Sequence, residues 1–157
     1  MPNFYSANFN AVAATVQVDF FELIGTASKI LEVHEVRLSQ HTDYGDAAEE
    51  IVQVLVRRGV GSTTGTGGTQ AAVPTKLETG LPTAGFTFDY MNTTKMTAGT
   101  RDILLSTAWN IRGEFLYLPT PECRIILAPS ERFTVELATT PIDSITFNGS
   151  MVVAEIG

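Results

Sequence analysis

Apolar residues recur at every second position along most of this chain, a period that puts them on one face of an extended strand. Val12, Ala14, Val16, Val18 and Phe20 form one such set, interleaved by Thr15, Gln17 and Asp19. At Phe21 and Leu23 the apolar set moves to odd positions, which predicts a bulge or bend near Asp19. Leu31 and Val33, then Val36 and Leu38, repeat the switch. Further sets follow at Val52, Val54 and Val56, at Phe86, Phe88 and Tyr90, and at Ile103, Leu105, Trp109 and Ile111. Phe133, Val135 and Leu137, then Ile145, Phe147, Met151 and Val153, complete the series. The pattern predicts roughly eight to ten strands, about 8 to 12 residues apart, with turn residues between them. Asp46 and Glu49 have capping-box spacing, but the β-branched run from Ile51 limits any helix there to one turn. With no long amphipathic helix in the series, a parallel α/β sheet is not expected.

The expected fold is therefore all-β, a jelly-roll-like antiparallel β-sandwich. Its 157 residues suit one core, so residues 11–157 are expected to form a single sandwich domain. A long Gly/Thr-rich loop, from Gly59 to Phe86, would cross between sheet edges or project from one end. Residues 1–10 read either as an extended N-terminal arm or as an edge strand. As an arm, they would offer Phe4, Tyr5 and Phe9 as partner-binding anchors, and removing them would leave the fold intact.

Composition narrows the function. Seventeen acids against ten bases give a net charge of −7, and the bases never cluster beyond Arg57-Arg58, which argues against a nucleic-acid partner. Charged residues make up 17%, below the usual value of about 25%, as expected of a surface partly covered by other protein. The lone Cys123 permits no internal disulfide and is expected on a strand as a small apolar group. The start, MPNFYSANFN, lacks the features of a signal peptide, and Ala11–Ile24 is broken by Asp19 and Glu22, so neither export nor a membrane partner is expected.

The run GSTTGTGGT at 61–69 resembles a phosphate cradle at first sight. A P-loop requires G-x-x-x-x-G-K-[ST], yet the next lysine is Lys76 and the run leads to Pro74 rather than a helix. Glycine and threonine without apolar anchors describe a flexible loop. His34 and His41 lie seven residues apart, and strand geometry turns His34 and Glu35 to opposite faces, so no His-centred metal site is expected. Asp43, Asp46, Glu49 and Glu50 offer oxygen atoms but lack the EF-hand pattern, which favours a solvated acidic turn. No G-x-S-x-G elbow is present. No catalytic residue, metal or cofactor is assigned, and the chain is not expected to be an enzyme. Parity around Trp109 places it in the core rather than on a sugar-binding platform.

The motifs H-E-V-R-L-S-Q, D-Y-G-D-A-A-E-E and V-R-R-G before a Gly/Thr loop resemble small virion structural proteins of tailed phages and prophages. So do W-N-I-R-G-E-F-L-Y-L-P-T-P-E-C-R-I, A-P-S-E-R-F-T-V-E-L and the ending P-I-D-S-I-T-F-N-G-S-M-V-V-A-E-I-G. The resemblance implies a capsid decoration (cement) protein, made in the host cytoplasm and carried on the virion's capsid surface. Its implied partner is the major capsid protein, and its implied state is a homotrimer. The alternative it implies is a tail or fibre-associated module that binds host glycans.

Overall fold

Two antiparallel sheets account for almost every predicted strand. The computed structural model describes residues 1–43, 45 and 49–157. The capping-box residue Asp46 falls outside them. Twelve strands are found among the described residues: β1 (Asn3–Ala14), β2 (Asp19–Ile24), β3 (Ile30–Gln40), β4 (Ile51–Val60), β5 (Thr69–Ala72), β6 (Thr75–Lys76), β7 (Thr87–Asn92), β8 (Thr100–Asn110), β9 (Phe115–Tyr117), β10 (Ile125–Leu127), β11 (Arg132–Leu137) and β12 (Ile145–Ile156). The first sheet, A, runs β10-β3-β12-β1-β6, with β9 also paired to β3. The second, B, runs β5-β7-β2-β11-β4-β8. The chain is thus an all-β antiparallel sandwich. No helix among the described residues is long and apolar enough to cross a membrane.

The parity switches correspond to bulges. Opposite β11 the register shifts between Val135 and Glu136, leaving Phe20 as the extra residue, so that Phe20 and Phe21 are both fully buried. On β3 the shift lies opposite Val152 and Val153, which makes His34 the extra residue and lets Val33 and Val36 both face inward. The core between the sheets is rich in aromatics. Phe9 lies 5.1 Å from Phe21 and 5.6 Å from Tyr90, and Phe147 lies 5.0 Å from Phe20 and 6.0 Å from Trp109, measured between ring centroids. Offset and edge-to-face pairs of this kind add to the burial energy of each ring.

Three expectations need correction. Residues 3–10 are not a free arm: they lie within β1, paired with β12 from Asn3↔Glu155 to Phe9↔Gly149. Tyr5 and Phe9 are turned into the core, with Tyr5 fully buried and its hydroxyl donating to the Pro82 carbonyl at 3.2 Å. They cannot serve as exposed anchors. Phe4 is half-buried on the opposite face, its ring edge-on to His34 at 5.0 Å. Cys123 is exposed and closes a 3-10 turn (Pro121–Cys123) instead of sitting on a strand, because Pro119 and Pro121 remove the ladder donors there.

The long link also behaves differently from a flexible loop. Its residues Thr69–Ala72 add β5 to the edge of sheet B, and Thr75–Lys76 add β6 to the edge of sheet A, so it crosses between the sheets. The glycine run before it lies against the outer face of sheet B. Thr63 and Thr97 exchange backbone hydrogen bonds, as do Thr66 and Thr94, tying the run to the segment that follows β7.

Candidate functional site

Two places combine exposure, shape and unusual chemistry: the side of the sandwich where β8 and β9 face each other, and the polar layer beneath the glycine run.

At the first, β8 ends sheet B with no neighbour on its outer side among the described residues, and β9 ends sheet A. Between them lies an open groove of about 620 Å³, walled by Leu105, Trp109, Phe115, Leu116, Tyr117 and Leu118, with Thr107, Asn110 and the charged Glu114 also on its lining. Residues 103–111 (ILLSTAWNI) and 115–121 (FLYLPTP) contain no charged residue, although the chain carries a net charge of −7. Leu104 is 40% exposed, Leu116 46% and Leu118 61%. Soluble proteins usually protect a long edge strand with lysine, proline or a covering loop. Here neither lysine nor proline occurs on β8, and one register shift, which leaves Leu104 as the extra residue, is the interruption. The outward backbone groups of β8 and the apolar rim can therefore accept an added strand. Trp109 itself is buried against Phe115 and Phe147 and presents no open ring face for a sugar.

At the second place, the outer face of sheet B carries buried acids: Asp19, Glu22, Asp89 and Glu136 are each at least nine-tenths buried. The cover supplies donors to them. Gly65 N–H donates to Glu22 Oε2 at 2.8 Å, Met96 N–H to Asp19 Oδ2 at 2.8 Å, and Ala71 N–H to Asp89 Oδ1 at 2.6 Å. A side chain at Gly65 would overlap the Thr94 carbonyl and Glu22 Oε1, so only glycine lets the backbone come this close. This explains the glycine run without any phosphate. Glu136 accepts from Arg57 Nε at 2.8 Å and from Lys95 Nζ at 2.5 Å. Burial pushes the Glu136 carboxyl up, but these two cations outweigh it and hold it below its ordinary value. Asp19 goes the other way, pushed up to about 8 by burial and by its hydrogen bond with Glu22.

The remaining candidates are simpler. His34 Nε2 lies 3.1 Å from Glu32 Oε1, and burial followed by nearby Arg124 lowers its pKa. His41 Nδ1 is 3.0 Å from the Asn148 amide. Of the acidic turn, Asp43 and Glu50 come together with Asp143, their oxygens within 4.8 Å of one another. Asp143 arrives from the turn before β12, about a hundred residues along the chain, and no spacing pattern links it to the acidic turn. Three carboxylates can offer part of the six to eight oxygen ligands that Ca²⁺ takes. Glu50 Oε1 already accepts from the Ile142 N–H at 2.8 Å. Glu49 is exposed beside Asn110 and Arg112.

Comparison with models of known families, with curated proteins and with solved structures finds no match to this chain.

Proposed function

We propose that this chain is a non-enzymatic capsid decoration (cement) protein, which attaches to the major capsid protein through the apolar stretch of the β8–β9 side and is shared among symmetry-related copies as a homotrimer. The observation that carries the reading is the apolar outer edge of β8: a strand of 11 residues, paired with β4 on one side and with no neighbour among the described residues on the other, beside a groove of about 620 Å³. A shell subunit that adds an extended segment there would satisfy the outward backbone groups and bury Leu104, Leu116 and Leu118. Each apolar contact contributes roughly 25 cal/mol per Å² before association costs, and repetition over a symmetric shell makes release slow.

Strand order supports the finer fold reading as well. β1, β12, β3 and β9/β10 in sheet A, facing β2, β11, β4 and β8 in sheet B, follow the two interlocked Greek keys of a jelly roll, with β5 to β7 inserted. Jelly rolls are common in viral shells.

The test is attachment. Virions of the encoding element should contain this chain on the head, as seen by immunogold labelling. A Leu104→Lys, Leu118→Glu double variant should fold normally, since both positions are exposed. It should nevertheless be retained on purified heads at least about tenfold less than the wild type, a loss of about 1.4 kcal/mol. Absence from virions, labelling of the tail alone, or full retention of the double variant would overturn the reading.

A further inference from the structure

The carboxyls of Asp19 and Glu22 lie against each other on the outer face of sheet B, under residues 61–68 and 93–99. Glu22 is fully buried, its Oε2 takes the Gly65 N–H, and its Oε1 has no donor among the described residues. Asp19 is 2% exposed, and its Oδ2 takes the Met96 N–H. An orphaned, fully buried carboxylate oxygen costs several kcal/mol unless a donor reaches it. The Asp19 carboxyl is hydrogen-bonded to Glu22 and supplies a donor as long as it keeps its proton.

We propose that Asp19 and Glu22 share one proton, and that this proton latches the glycine-rich cover onto sheet B, so that the cover loosens when the proton is lost. Charged groups around the pair do not replace it. Lys95 of the cover is engaged by Glu136, Gln17 and the Leu137 carbonyl. Arg57 of β4 is engaged by Glu136, and Arg101 of β8 by the Met96 carbonyl. Glu136 of β11 adds further negative charge, which favours keeping the proton, and Asp89 of β7 lies across the ladder from Glu22. Two carboxylates at hydrogen-bonding distance cannot both ionise cheaply in a buried site. The upward shift of Asp19 to about 8 comes first from burial and then from its hydrogen bond with Glu22.

The latch has a definite pH signature. While the cover is closed, Asp19 holds its proton up to about pH 8. When the cover opens to water, the carboxyl ionises near its ordinary value of 3.8. Opening therefore releases one proton in the window between these values, and the opening constant rises about tenfold per pH unit there, levelling off above about pH 8. Base-catalysed amide exchange itself rises about tenfold per pH unit, so exchange through this opening rises about a hundredfold.

The experiment follows exchange of the Gly65 and Met96 amides by NMR from about pH 5.5 to about 7.5. The wild type is expected to show the hundredfold dependence. Asp19→Asn keeps an acceptor for Met96 and supplies an amide donor to Glu22, so it is expected to show the tenfold dependence. Carbon-13 titration of the wild-type carboxyls stands apart from any variant: Asp19 should titrate near 8 rather than near 4. A tenfold dependence in the wild type, a hundredfold dependence in Asp19→Asn, or an Asp19 carbon that titrates near 4 would each overturn the latch.

Discussion

Deleting residues 1–10 is expected to abolish folding. The segment supplies most of β1, and its loss leaves β12 unpaired from Gly149 to Glu155 on that side. It also removes Tyr5, Ala7 and Phe9 from the core, all buried to 4% exposure or less. Phe9 contacts Phe20, Phe21 and Tyr90, rings from two strands of the opposite sheet. Truncating it alone, Phe9→Ala, should cost about 3–5 kcal/mol, a large share of the total of about 5–15 kcal/mol that stabilises a domain. The truncated chain should be insoluble or lack dispersed amide resonances, and Phe9→Ala should fold with a much lower denaturation midpoint. A well-folded truncated chain with near wild-type stability would restore the detachable-arm reading of these residues.

Replacing Glu136 is expected to have the next largest effect. Its carboxylate joins β11 to Arg57 of β4 and to Lys95 of the cover, with side-chain exposures of 10%, 17% and 21%. Removing one partner of a buried pair costs about 3–5 kcal/mol, and an exposed pair is worth about 1 at most. These groups keep some solvent, so Glu136→Ala should cost about 2–4 kcal/mol at neutral pH, measured by denaturant unfolding. The pH dependence has a fixed sign. The folded-state pKa of Glu136 lies below its ordinary 4.5, so its contribution is present above that value and is lost as pH falls through the folded pKa. Asp19 has the opposite sign: its contribution is complete below 3.8 and declines as pH rises toward about 8. In Glu136→Gln the acid-side loss should shrink while the Asp19 decline persists. A variant within about 0.5 kcal/mol of wild type at neutral pH would show that water already satisfies Arg57 and Lys95.

The strands were legible because period two is a direct consequence of a half-buried sheet, and the bulge near Asp19 because a parity switch has few other physical causes. Of the two readings of residues 1–10, the arm failed and the strand held, for a local reason. Phe4, Tyr5 and Phe9 do not share one parity, and only the structure shows Tyr5, Ala7 and Phe9 facing inward while Phe4 faces His34. The glycine run was misread as flexible because its anchors are backbone N–H groups, which leave no side-chain signature. The acceptor of the Gly65 N–H, Glu22, sits 43 residues earlier, where it looks like an ordinary polar position of an alternating strand. The β8–β9 groove was visible in part: the uncharged stretches can be read from the sequence, but the lack of a strand beyond β8 cannot.

Amide exchange along β8 tests the central claim most directly. In the free protein, the outward amides between Ile103 and Trp109 should exchange quickly, since β8 has no neighbour on that side. On intact heads the same amides should be protected at least about tenfold, together with those of β9, while the exposed Ile142 turn stays unchanged. Equal exchange of β8 in the free and head-bound protein would contradict attachment through this edge.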